Sequence, residues 1–270
     1  AASAPPVATA LPADVAVLPP AARLAASLLR AFARGSLLWM GAATLLGEGA
    51  LQASLLVQMR MFTALFLAPE AAAWCVLLAF GARATIENGA LVLTRGARRL
   101  ELALREIAAV EPWRVPLPGP GASLRLASGE RWHYGLAHAD PAALAQALAA
   151  AQESSPTWAT RYAHARLAVR RGRLDRPLAK FVLFPLALAI PAFRLHQHIA
   201  YGSAFGEYYS FGLTAYLTSF ALWWAAWAIG VVLGAAALRA VIEAGTLMAL
   251  LLRPERAIDA RRWLEGLGLA

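Results

Sequence analysis

The chain has 270 residues, of which 60% are apolar and 15% charged, with a mean hydropathy of +0.54. A globular domain in water averages ~45–50% apolar and ~25% charged, so this composition excludes a wholly soluble protein. One cysteine excludes a disulfide framework or a Cys-rich metal site, and the net charge of +9 fits either nucleic acid or the arginine-rich inner side of a membrane protein.

Residues 1–20 carry several prolines and no basic residue, so neither the charged start nor the unbroken apolar run of a signal peptide is present. The expectation is a disordered N-terminal arm. Over 21–34, Leu24, Leu28 and Phe32 recur every four residues while Arg23, Ser27, Arg30 and Arg34 mark another face. That pattern predicts an amphipathic helix lying on a membrane surface, or one packed on its own protein.

A spanning helix needs ~20 mostly apolar residues. Residues 35–57 supply one and 61–81 a second, separated only by Gln58, Met59 and Arg60, which predicts a tight hairpin over 35–81. Each span carries one carboxylate. Glu48 precedes Met59 by eleven residues and Glu70 follows it by eleven, so both are expected ~16 Å below the turn, at one depth and able to face each other. Intramembrane acids are costly enough to be functional candidates. Glu48 and Glu70 therefore suggest a proton or cation relay, a socket for a partner's arginine, or hydrogen-bonded assembly glue.

Residues 82–152 change character. Asn88-Gly89 between two short apolar runs is a two-residue hairpin signal. Arg99 to Leu104 alternates with its leucines on one face, Ile107 to Val115 reads as a strand, and a stiff Pro-rich loop follows at 116–121. Ser128-Gly129 joins a further hairpin. Asp140 then offers an N-cap, with Pro141 at the first position of a helix over 142–151. A strand meander closed by one C-terminal helix is similar to a pleckstrin-homology-like (PH-like) domain. Asn88-Gly89, Arg99-Leu100-Glu101-Leu102, Ile107-Ala108-Ala109-Val110 and Asp140-Pro141 give the segment its resemblance to the bacterial PH-like family found on small membrane proteins. The resemblance covers about a quarter of the chain. It implies a membrane-proximal interaction module without catalysis of its own. It does not imply phosphoinositide binding, because the basic residues are not clustered in one hairpin loop.

The linker 153–180 holds Arg161, Arg166, Arg170, Arg171, Arg173 and Arg176. So placed, these are expected to contact anionic phospholipid, at ~1 kcal/mol each. Nucleic acid is not expected, since neither aromatic interleaving nor a binding fold accompanies them. Spans three and four are expected at 181–200 and 211–238, the latter a run without a charge. Within it Ala226, Gly230 and Gly234 form a smooth face on which another helix can pack closely. His196 and His198 near the end of span three, with Glu207 beyond, are candidate metal ligands only if the helix has ended there. In a helix their rings diverge by ~200°. Interfacial histidines beside headgroups are the competing reading, so no metal or cofactor is expected. Residues 239–270 read as cytoplasmic or interfacial helices, with Arg239 and Glu243 spaced for an ion pair and Ala260, Trp263, Leu264 and Leu267 on one face.

A cytoplasmic N-terminus leaves only Arg60 and Arg194 in the outer loops, so the positive-inside bias puts both termini and the 82–152 domain in the cytoplasm. The 24 arginines against one lysine, in an Ala-rich chain, resemble GC-rich bacterial coding. The expected protein is thus a four-span α-helical protein of a bacterial inner membrane with an inserted PH-like domain. No phosphate-binding loop, metalloprotease motif or nucleophile elbow is present. The leading expectation is a non-enzymatic accessory or scaffolding subunit partnered by other membrane subunits. A small proton- or cation-coupled transporter and an outer-face metal-binding protein are the alternatives.

Overall fold

The computed structural model describes residues 14–46, 54–138, 144, 148, 161–162, 165 and 178–269. The fold mixes helix and sheet, and the chain divides into two compact units. One comprises residues 1–33, 68–169 and 244–270, and the other comprises 34–67 and 170–243.

The first unit holds a seven-stranded antiparallel sheet. Its strands are β1 (Asp14–Leu18), β2 (Gly81–Glu87), β3 (Ala90–Arg95), β4 (Arg98–Ala103), β5 (Ile107–Pro112), β6 (Gly121–Leu126) and β7 (Arg131–Ala137), in spatial order β4-β3-β2-β1-β7-β6-β5. Two three-stranded meanders, β2 to β4 and β5 to β7, are therefore joined through a strand from the start of the chain. Asn88 (φ 51°) and Gly89 (φ 75°) make the turn between β2 and β3, the paired positive φ that matches the twist of a hairpin. The core gathers Val15, Ala84, Leu91, Leu93, Leu102, Ile107, Leu124 and Leu136, with Leu144 and Leu148 packed among them. The Leu148 amide donates to the Leu144 carbonyl at 3.0 Å, a helical turn that puts both leucines on one side. The rest of the expected 142–151 helix, with Asp140 and Pro141, lies outside the described residues.

The expectation of a disordered arm over residues 1–20 is corrected over Asp14–Leu18 by β1, and residues 1–13 lie outside the described residues. Val-Ala-Val-Leu alternates, and Pro19-Pro20 ends the strand because proline cannot donate to the ladder. Pro20 then opens α1 (Pro20–Leu46), where its missing N–H costs nothing.

α1 is one helix of 27 residues, so the surface helix expected at 21–34 and the start of the span expected at 35–57 are continuous. The chain resumes as α2 (Leu55–Phe62), a π-helical segment (Thr63–Leu67) and α3 (Ala68–Ala79). Gln58, Met59 and Arg60 are therefore helical and not the expected turn, and residues 47–53 lie outside the described residues. Leucine, valine, methionine and glutamine hold a helix through this stretch, and nothing there breaks it. The second hairpin comprises a π segment (Ala179–Leu183), α4 (Phe184–Tyr201) and α5 (Gly206–Leu252), followed by α6 (Ala257–Leu269).

Among the described residues three helices are long and apolar enough to cross a membrane: Leu55–Ala79, Ala179–Tyr201 and Gly206–Leu252. The first expected span, 35–57, falls partly on α1 and partly on α2, and its residues 47–53 lie outside the described residues. In the second unit Leu37, Met40 and Phe62 are buried against Phe66, Ile229, Val232, Leu233 and Ala236.

Candidate functional site

The first polar site lies where α1 and α3 leave the sheet. The Val17 amide donates to the Phe80 carbonyl at 2.9 Å, so the two helices start side by side. Arg30 lies ten residues after Pro20 and Glu70 ten before Phe80, which puts both about 15 Å along their helices. Equal height brings them together: Arg30 Nε is 3.0 Å from Glu70 Oε1. The contact is one of charge more than of aligned hydrogen bonding. Nε and Glu70 Oε2 are both buried without a hydrogen-bond partner among the described residues. Arg30 Nη1 also donates to the Pro118 carbonyl of the Pro-rich loop.

Two turns earlier on α1, the Arg23 guanidinium lies 3.9 Å over the Trp113 ring, a cation–π contact. Burial there pushes the Arg23 guanidinium below its ordinary pKa. Trp113 Nε1 donates to Ser123 Oγ at 3.1 Å. Gly121 and Gly135 make room for the indole, since a Cβ on either would come within 2.7 Å of it. Arg23 and Arg30, separated by two turns of helix, thus tie α1 to the loop before β6 and the strand ends around it.

The two expected faces of the segment are present. Arg23 and Arg30 turn inward with Ala26 and Ala33, both fully buried, while Arg34 is exposed and Leu24, Leu28 and Phe32 are 60%, 62% and 53% exposed. Around α6, Arg256 and Arg262 are exposed and one arginine turns inward. Arg261 is fully buried, donating to Glu265 Oε1 at 2.6 Å and to Thr246 Oγ1 at 3.1 Å. Leu264 packs where a Gly245 Cβ would stand. Trp263 and Leu267, expected to share a face with it, are exposed.

The second polar site is at the α4–α5 turn. Gln197, fully buried between His196 and His198, donates from Nε2 to Glu207 Oε2 at 2.6 Å, and its Oε1 accepts from the Glu207 amide at 3.0 Å. Ser219 Oγ donates to Glu207 Oε1 at 2.6 Å. In a straight helix residues 207 and 219 would be about 18 Å apart along the axis. They meet because Gly212, at φ 84° and ψ 176°, interrupts α5 and folds its first turns back. Only glycine holds that conformation readily. Phe193, buried beneath this turn, contacts Tyr216, Phe220 and Trp223 edge-on with ring centroids 5.2, 5.4 and 6.3 Å away.

The other predicted residues fall as follows. Glu48 lies outside the described residues, as do Arg166, Arg170, Arg171, Arg173 and Arg176, while Arg161 is exposed. Glu70 meets Arg30 of its own chain, so the socket reading of that acid is filled from within. His196 rests on Trp223 at 5.0 Å. α4 continues through His198 to Tyr201, so the two histidines diverge and the condition for joint chelation is not met. Among the described residues no cluster of three or more His, Cys, Asp or Glu side chains could hold a metal. A Cβ on Gly230 or Gly234 would meet nothing within 4 Å, so that part of the Ala226 stripe is open space. The sequence drew attention to the histidines and missed Gln197 between them. A polar residue in phase with Phe193, four positions back, was the available signal.

No family model, curated protein or solved structure matches the chain.

Proposed function

We propose that this is a non-enzymatic, membrane-embedded accessory or scaffolding subunit, whose sheet unit works as a PH-like interaction module on the cytoplasmic side of a bacterial inner membrane. One observation carries the reading. α5 runs unbroken from Leu213 to Leu252 beyond Gly212, yet only 6% of its most apolar window is buried inside the chain. Water does not tolerate that much contiguous apolar surface, so lipid or another protein must cover it.

Further observations support it. The chain leaves the sheet unit at residue 33, re-enters at 68, leaves again at 169 and re-enters at 244. The sheet unit's chain is thus interrupted by two excursions into the helical unit, each of which returns to it. The inward arginines and outward leucines, phenylalanine and tryptophan of α1 and α6 suit helices lying against lipid. The antiparallel meanders closed by a segment carrying Leu144 and Leu148 favour the PH-like reading of the sheet. Glu70 is neutralised by Arg30, and Glu207 is held by Gln197 and Ser219. Both acids thus act as internal ties, which favours assembly over transport.

The test uses the open stripe. Because Gly230 and Gly234 touch nothing within 4 Å, the Gly230→Leu/Gly234→Leu variant leaves the chain's own packing intact. Tagged wild type extracted in mild detergent should retain stoichiometric membrane partners, and the variant should lose them while staying folded. Equal retention by both, or a wild type without partners, removes the subunit reading.

A further inference from the structure

The helical unit contains one feature that the scaffolding role does not use: a cavity of about 370 Å³ between α2, its following π segment, Phe181 and the middle of α5. Its volume lies within the ~300–1,000 Å³ of ligand pockets. Its wall is formed by Phe62, Phe66, Phe181, Trp224, Ala228 and Ile229 among others. Thr63 and Trp224 alone bring a side-chain nitrogen or oxygen to the lining, and the Trp224 indole N–H is already given to the Val182 carbonyl at 3.3 Å. Water would find too few partners there to stay, so the site suits only apolar matter.

Two features shape the cavity. Each of the unit's two π-helical segments borders it, Thr63–Leu67 through Phe66 and Leu67 and Ala179–Leu183 through Phe181. π turns inside helices are rare and concentrate at functional sites, and here both border the same space. Opposite them α5 presents Ala225 and Ala228, small residues that leave the space empty. Of the lining residues Leu67 is 46% exposed.

We propose that the cavity seats one acyl chain of a membrane phospholipid, with the headgroup left outside. The absence of a charged or hydrogen-bonding anchor in the lining argues against a polar small molecule. A lining of aromatic, alanine and branched aliphatic side chains argues for an occupant that is already dissolved in the hydrocarbon. The proposal rests on the membrane reading above.

The test reconstitutes the full chain into vesicles of phosphatidylethanolamine and phosphatidylglycerol doped with a phosphatidylcholine bearing a diazirine midway along one acyl chain. After illumination, adducts are mapped by peptide mass spectrometry. Wild type should concentrate adducts on Met59, Phe66, Phe181 and Trp224. Ala228→Phe, which fills the cavity, should lower those adducts by about tenfold, equivalent to ~1.4 kcal/mol of binding. Adducts on the outward Leu213 and Leu217 should not change. Ala225→Leu gives the same readout if Ala228→Phe does not fold. Adducts spread evenly over all exposed apolar faces, or cavity adducts unaffected by either filling variant, overturn the proposal. Failure of the wild type to float with vesicles overturns the membrane reading and this proposal with it. Flotation with even labelling overturns this one alone.

Discussion

The sheet unit and the helical unit solve burial in opposite ways. Between the strands of the sheet the core is leucine, valine, isoleucine and alanine, and the ion pairs on those strands sit outside, whereas the buried Arg261 belongs to α6. Arg99 bridges Glu101 and Glu87 at 2.5 and 3.0 Å, and Arg131 lies 3.0 Å from Glu111, with every arginine of these pairs about half exposed or more. In the helical unit the fully buried groups include Gln197, and Glu207 is nearly so, while Leu195, Ile199, Phe211 and Leu213 are exposed. A protein arranges its surface to suit what surrounds it. The contrast is between the strands and the helical unit, and the membrane proposal accounts for it by different surroundings.

The contrast can be tested in order of expected effect. Leu136, fully buried in the sheet core, should cost about 3 kcal/mol when replaced by alanine, as cavity-forming substitutions do. Leu217→Ala, at a position 51% exposed, should cost less than about 0.5 kcal/mol. Denaturant unfolding in detergent, followed by tryptophan fluorescence for the first and by far-ultraviolet dichroism for both, compares them. Equal losses would mean that Leu217 is packed after all and would weaken the contrast.

Next comes the tie between α1 and α3. Arg30→Met leaves the Glu70 carboxylate without its cation and should destabilise by about 2 kcal/mol, below the 3–5 of a fully buried pair because both side chains keep some exposure. Arg30→Met/Glu70→Leu should recover most of that loss, since the charge left unpaired is gone. A double variant no better than the single would show that Arg30 acts through the Pro118 carbonyl and not through Glu70.

The smallest effect is at the turn of the second hairpin. Gly212→Ala forces a side chain into a backbone region that is nearly glycine-only and should cost about 1–2 kcal/mol. It should also open the Glu207–Ser219 contact, making a cysteine placed at Ser219 react faster with a thiol reagent in the Cys75→Ala background. Unchanged reactivity would mean that the fold-back is held by Phe193 and its ring contacts instead.

The Asn88-Gly89 and Ser128-Gly129 turns, the strands between residues 84 and 136, the long apolar helices and the Arg239–Glu243 pair (2.9 Å) were all legible in the chain. Their signals are local: alternation, a hairpin dipeptide, an uncharged run, an i,i+4 spacing. What was not legible depends on pairing across distance. Val15 and Leu18 sit in the middle of a sheet whose other strands begin at Gly81, and no local pattern tells a five-residue strand near a terminus which partners it has. The acid expected to face Glu48 meets Arg30, because strand pairing set α1 and α3 level with each other. Amphipathic periodicity fixed that α1 and α6 have two faces but not which one turns inward. That choice belonged to the tertiary structure, where Trp113, Pro118, Thr246 and Glu265 supply the partners that let Arg23, Arg30 and Arg261 leave solvent.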